Sequence, residues 1–431
     1  MRLLAILATC LVVAVLTTAA RAVDVQQFTS DQGIEVWLVE DHTVPMVAMN
    51  FAFRGGTTQD RAGAEGAAKI LSYMLDEGAG PYTSKEFQER MEDLSVNLWF
   101  SASKEYFSGS LVSLTSTLPE AIDLMTLALN EPRFDDVPLA RIKSQVLVGL
   151  ESAINNPSDI VARAMAEAAF PDHPYARDSD GEKETVATVD AAELRSLHKK
   201  IFARQHLKIA VVGAIDQAML SPMIDQMFGG LPIQSGVEEV AVPQPLEAAE
   251  LFLDRDLAQA RISFIGPGYR PNHPDALTAF VLNHIFGGSS FTSRLFDELR
   301  EKRGLVYSAS SRLSSTRTIG TLAGGLGTQS SRARHALEVL QQTMADYAQN
   351  GPSAEELASA KKYLIGNFPL RFTTTGSIAS ELLSLQITGR TTKYWEERAD
   401  LINAVTLEDA QRVAKQMFDP DKMIFVVLGA S

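Results

Sequence analysis

Residues 186–214, VATVDAAELRSLHKKIFARQHLKIAVVGA, and residues 402–430, INAVTLEDAQRVAKQMFDPDKMIFVVLGA, follow one pattern. Val189 matches Val405, Lys199 matches Lys415 and Phe202 matches Phe418, each at a separation of 216. Each segment reads as an amphipathic helix, then an apolar strand, then a glycine. The starts of the halves echo each other as well. VPMVAMNFAFRGG (44–56) and QARISFIGPG (259–268) read as strands that lead through a polar turn into an apolar helix. One short helix–strand match arises by chance, but two matched ends at similar spacing point to a duplication. A chain of 431 residues then folds as two related domains, because single cores seldom grow past roughly 250–300 residues. The boundary falls in LPIQSGVEEVAVPQPLEAAE (231–250), which mixes Pro, Gly, Ser and acid as linkers do. This places one domain at 23–236, a linker at 237–250 and a second domain at 251–431.

Within the first half, strands at 35–40 and 47–53 precede two helices. The second of these opens with a capping box, Thr83 followed by Glu86 three residues on. Strands follow at 97–103 and 106–114, then helices from Pro119 and over 136–155. Strand runs followed by helix runs predict α+β domains, each a largely antiparallel sheet with helices packed on one face.

The first 22 residues are of another kind. Arg2 precedes an apolar run from Leu3 to Leu16, and TTAARA follows, with Ala20 and Ala22 at the −3 and −1 positions of a cleavage site. That is the pattern of a secretory signal peptide, short of the roughly 20 apolar residues of a membrane span, so no anchor is expected after cleavage. Cys10, the only cysteine, lies inside that run. The mature chain then has no disulfide, thiolate ligand or thiol nucleophile. Loss of Arg2 and Arg21 takes the net charge from −14 to −16, which disfavours nucleic acid and anionic membrane surfaces as partners.

One helix poses the chemical question. In EGAAKILSYMLDEGA (65–79), Ala68, Leu71 and Leu75 recur at helical spacing and Gly78 closes the segment. Lys69, Ser72 and Tyr73 share another face, at offsets of 0, 3 and 4. The chain here resembles the insulinase/pitrilysin-type zinc peptidases, in particular the two-domain branch that includes the mitochondrial processing peptidases. The resemblance spans nearly the whole mature chain. It rests on FRGGTTQDRAGAEGAAKILSYMLDEGA (53–79), LPEAIDLMTLALNEPRF (118–134), FPDHPYARDSDG (170–181) and, most specifically, NHIFGGSSFTSRLFDELREKRGLVYSASS (283–311).

In active members this helix carries H-x-x-E-H, two histidines on zinc and a glutamate that acts as general base. The matching positions here are Lys69, Ser72 and Tyr73. The family's third ligand, a later glutamate, maps to Val148 or Gly149, with Glu151 the nearest carboxylate. His42, His173, His198, His206, His273, His284 and His335 form neither that motif nor any pair four apart, which fits scattered histidines without a metal. Lys69 either extends to water or sits as an ammonium where a dication sat, balancing acidic neighbours beside Tyr73. The favoured expectation is that it reaches water.

The second half departs less from the family. Active members place an arginine and a tyrosine seven residues apart in the C-terminal repeat, and LREKRGLVY supplies Arg300 and Tyr307. The resemblance implies that the guanidinium holds substrate carbonyl groups and the phenol donates to the oxyanion of the tetrahedral intermediate. It also implies a glycine-rich loop in TLAGGLGTQSS (321–331), where Gly324, Gly325 and Gly327 meet substrate; no G-K-[ST] follows to make it a phosphate loop. The leading expectation is a zinc-free subunit of a heterodimeric peptidase exported to a Gram-negative periplasm. It would carry no cofactor itself, with zinc on a homologous partner chain, and would bind unfolded peptides as added strands along Leu98, Trp99, Phe100, Ser101 and Ala102. The alternatives are a scaffold or peptide binder without a role in chemistry, and an autonomous peptidase with another metal site.

Overall fold

Alternating and continuous apolar runs sort the chain into two sheets. The computed structural model describes residues 24–430, so the leader assigned to 1–22, with Cys10, lies outside it. The first sheet holds β1 (Gln26–Thr29), β2 (Glu35–Glu40), β3 (Met46–Arg54), β4 (Asn97–Ala102), β5 (Tyr106–Leu114) and β6 (Lys208–Gly213). Their spatial order is β1-β2-β6-β3-β5-β4. The second sheet holds β7 (Ala249–Leu253), β8 (Gln259–Gly268), β9 (Val306–Ser315), β10 (Gly320–Gln329) and β11 (Ile424–Leu428), in the order β7-β11-β8-β10-β9. Each sheet is antiparallel except at one pair, β2 with β6 and β7 with β11. The two orders superimpose once β1 is set aside.

The spacing of 216 survives into three dimensions. Helix Ala191–Ile201 precedes β6, and helix Leu407–Met417 precedes β11. Each of these strands lies between a parallel and an antiparallel neighbour. The capping box is also formed: Thr83 caps helix Ser84–Asp93, and Glu86 accepts the Thr83 N–H at 2.9 Å.

Because strand side chains alternate between faces, each sheet has two faces to cover. One face meets helices of its own half: Met49, Phe51 and Phe53 of β3 lie in a core with Leu71, Ile122 and Phe228. The other face meets a helix from the opposite half. Helix Thr375–Ile387, late in the chain, lays Ala379 and Leu382 on Trp37, Ala48, Ala210 and Val212 of the first sheet. Helix Pro157–Ala169, early in the chain, lays Val161 and Met165 on Ile265, Ile424 and Val426 of the second. Cover on both faces explains why IFVVL is buried at every position and KIAVVG at all but its first. Each fully buried Leu, Ile or Met contributes roughly 1.5–3 kcal/mol, so the exchanged helices fasten the halves mainly through apolar contact.

A polar latch supplements them. Glu105 is buried and accepts from the Tyr175 hydroxyl at 2.6 Å and from the Arg317 N–H at 2.6 Å, joining β4–β5 to the tip of the β9–β10 hairpin. Glu239, in the coil between the sheets, pairs with Arg54 on one side and with Arg317 on the other.

Candidate functional site

The helix at the centre of the question runs Ala67–Met74, shorter at both ends than the sequence pattern suggests. Gly66 begins it at φ +94, a left-handed conformation natural to glycine, and a Cβ there would lie 2.7 Å from the Asp180 carbonyl. Asp60 holds the start in place. Its two oxygens accept the N–H groups of Gly66 and Ala68, each at 2.9 Å, satisfying donors the helix cannot use. Burial pushes the Asp60 carboxyl up to about 7, against the pull of those two N–H groups. At the other end the helix stops at Met74, before Gly78 is reached.

Along this helix, Ala68, Ile70 and Leu71 face the core, and Lys69, Ser72 and Tyr73 occupy the positions where the resemblance expects the zinc motif. Ser72 is 2% exposed, and its hydroxyl donates to the Lys69 carbonyl at 2.8 Å. Lys69 does not simply extend to water. Its ammonium stands 3.7 Å from Asp180 and 5.4 Å from the centre of the Tyr73 ring. Exposure on both sides keeps such a pair within about 0–1 kcal/mol. Asp180 replaces the expected solvent, and its position far along the chain hid it from helical spacing; the run FPDHPYARDSDG was its only signal.

Across a cleft of about 260 Å³ from Tyr73 and Asp180 lies helix Asp136–Asn155, presenting Gln145, Val146, Gly149 and Leu150. Of the two candidate positions for a third ligand, Gly149 faces the cleft and Val148 is 67% exposed elsewhere. Glu151 is exposed and does not line it. The donor set therefore does not suit zinc: an ammonium, a hydroxyl bound to its own helix, a phenol and a glycine supply no imidazole or carboxylate ligand from the family's positions. Among the described residues no group of three or more His, Cys, Asp or Glu is placed to hold a metal ion.

Arg300 and Tyr307 stand on less regular backbone. Arg300 lies on a wide π turn, Asp297–Glu301, and donates from Nη1 to the Val306 carbonyl at 3.1 Å. Tyr307 falls where the β9–β10 register slips: Gly327 faces Ser308 and Thr328 faces Val306, which leaves Tyr307 as the extra residue of a bulge. Bulges re-aim side chains, and this one leaves the phenol 51% exposed.

The glycine-rich segment is not a loop. Gly324, Gly325 and Gly327 belong to β10, paired with β8 on one side and β9 on the other, so their N–H and C=O groups serve the sheet. Glycine is needed at Gly324 for close packing, since a Cβ would meet the Phe264 ring at 2.3 Å. β4, in contrast, is an edge strand. Leu98, Phe100 and Ala102 point into the core, while Trp99, 57% exposed, and Ser101 face outward.

Two family models match the chain in tandem: Insulinase (Peptidase family M16) over residues 35–181 and Peptidase M16 inactive domain over residues 188–364. A Helicobacter pylori protein named Non-peptidase homolog YmxG is 23% identical over 390 residues, 90% of either chain. A Bacillus subtilis protein named Uncharacterized zinc protease YmxG is 24% identical over 403 residues, 94% of this chain and 98% of that one. The crystal structure of a peptidase M16 inactive domain from Pseudomonas fluorescens superimposes with a TM-score of 0.89 at 27% identity, over 95% of this chain and 98% of the other. The chain belongs to the insulinase (M16) peptidase family, with two M16 domains in tandem.

Proposed function

We propose that this chain is the zinc-free member of a two-chain peptidase exported to a Gram-negative periplasm. It binds unfolded peptides and completes the active site of a homologous, zinc-bearing partner. One observation carries the reading. Ser72 is buried against its own helix and Lys69 is paired with Asp180, whereas Tyr307 is set out into solvent by a bulge and Arg300 stands on a wide turn beside it. In the assembled site Arg300 holds peptide carbonyl oxygens and Tyr307 donates to the oxygen that gains charge as the peptide bond is attacked. β4 offers an unpaired edge along which a peptide adds as a strand. The name of the Helicobacter pylori relative, a non-peptidase homologue, and the family description of an inactive domain support a chain that cleaves nothing alone. The leader at 1–22 supports export.

The second reading, a scaffold without a role in chemistry, draws on the Arg300–Val306 bond, which gives the guanidinium a purely structural use. The experiment that separates them mixes the chain with its partner and measures hydrolysis by Arg300→Ala and Tyr307→Phe complexes. A scaffold tolerates both substitutions, while a shared site loses rate.

A further inference from the structure

Between the exchanged helix Pro157–Ala169 and the face of β8, β10 and β9 lies a cavity of about 400 Å³. Met165, Ala166, Phe170, Ile265 and Ile319 give it an apolar wall. Its charge is at odds with the chain. The protein carries a net −14, yet Lys104, Arg261 and Arg312 line this cavity and no Asp or Glu does. Lys104 donates to the Arg177 carbonyl at 3.0 Å. Neither arginine has an ion pair or a side-chain hydrogen bond among the described residues. Acids close by are already engaged: Glu105 by Tyr175 and Arg317, and Asp178 by Arg163 at 3.3 Å.

Arg261 of β8 is opposite Gly327 and Arg312 of β9 is opposite Ala323, so they rise from one face of the sheet, on either side of β10 and four residues apart along it. Both line the same cavity, where the β10 floor is small, with Ala323 and Gly324. Two unpaired forks above an apolar wall suit a carboxylate borne on an apolar group, since arginine binds carboxylate with paired hydrogen bonds. Ser263 and Ser314 also line the cavity and match the amide groups of a peptide, while the hydroxyls of Thr316 and Thr321 are already bonded to Ile319 and Ser314. A bare alkyl chain would give the Ser263 and Ser314 hydroxyls no partner.

We propose that this cavity captures the C-terminal end of a bound peptide. The α-carboxylate lies with Arg261 and Arg312, and an apolar last side chain lies against Met165, Phe170 and Ile265. The inference rests on the peptide-binding reading above and names the class of peptide: chains with a free carboxyl terminus and an apolar final residue.

The test uses the full mature chain and N-terminally labelled unstructured decapeptides ending in leucine, as the free acid and as the amide, read by fluorescence anisotropy. The free acid is expected to bind about tenfold tighter or more, as loss of a charge-assisted pair implies. The double variant Arg261→Gln/Arg312→Gln should bring the acid down to the level of the amide without changing the amide. Both side chains are exposed, and an unchanged melting temperature shows that the fold is kept. Ala162→Trp, which fills the cavity, should weaken the acid in the same way. Equal binding of acid and amide overturns the cavity inference and leaves peptide binding standing. Failure of both peptides to bind overturns the two together. Dodecanoate bound at this site in place of either peptide overturns the peptide assignment in favour of a small amphiphilic carboxylate.

Discussion

The helix Ala67–Met74 and the segment from Arg300 to Tyr307 come from two copies of one fold, yet they treat polar side chains in opposite ways. On the helix, Ser72 is buried against its own backbone and Lys69 is drawn to Asp180. On the second segment, a π turn and a bulge interrupt regular pairing and set Tyr307 outward. Irregular backbone is costly and persists where surrounding structure fixes it, often at functional sites. The lesson is that a duplicated scaffold can keep its packing intact while its two chemical surfaces diverge. In the first half Ala68, Ile70 and Leu71 pack into the core, Ser72 is buried against its own helix, and Lys69 and Tyr73 stand at the edge of the core.

Four changes sharpen or break this contrast, from the largest expected effect downward. Leu382→Ala opens a cavity beneath the helix that the second half places on the first sheet, and should cost about 2–5 kcal/mol in chemical denaturation. A loss below 1 kcal/mol would mean that the exchanged helix does not fasten the halves.

Asp60 supplies the next effect. Its unfolded carboxyl loses its proton near 3.8 and its folded one near 7, so in that window the folded state holds more protons and stability falls as pH rises. The difference approaches about 4 kcal/mol above pH 7. His198, which burial brings down to about 4, acts with the opposite sign between 4 and 6.5, because the unfolded chain takes the proton first on acidification. Asp60→Asn leaves the His198 contribution in place. Stability curves of the two proteins from pH 4 to 8 should therefore differ by a slope, with the wild type declining relative to the variant as pH rises. Parallel curves would remove the buried carboxyl from the account of how this helix begins.

The zinc site itself can be rebuilt. Lys69→His, Ser72→Glu and Tyr73→His together should bind zinc weakly, because three protein ligands are usual at a catalytic zinc and only two histidines are restored. Adding Gly149→Glu supplies a third protein ligand and should tighten zinc, and a Cβ at Gly149 meets nothing within 4 Å. If the triple variant binds as tightly as the quadruple one, Glu151 or another carboxylate serves instead. Last, Lys69→Ala should lower stability by no more than about 1 kcal/mol, since its pair with Asp180 is partly exposed.

Much of this was legible in the sequence. The spacing of 216 gave the duplication, and Thr83 and Glu86 gave a helix start. What stayed hidden depends on partners distant in the chain. Helical periodicity shows that Leu382 and Leu383 lie on an apolar face, but not that the sheet beneath them belongs to the other half. Gly324, Gly325 and Gly327 lack the side chains whose alternation marks a strand, so β10 read as a loop. Asp60 was within reach, as an acid shortly before a helix start. That Arg261 and Arg312 line one cavity depends on the register of three strands.

The central claim is that chemistry resides with Arg300 and Tyr307 and has left Lys69. It is tested most directly by kcat/KM for peptide hydrolysis by this chain assembled with its zinc-bearing partner. Arg300→Ala or Tyr307→Phe should lower kcat/KM by roughly 10²–10³-fold with assembly intact, the usual cost of one lost oxyanion-type donor, while Lys69→Ala leaves it near wild type. Arg300 and Tyr307 variants that assemble and cleave like wild type would contradict the claim.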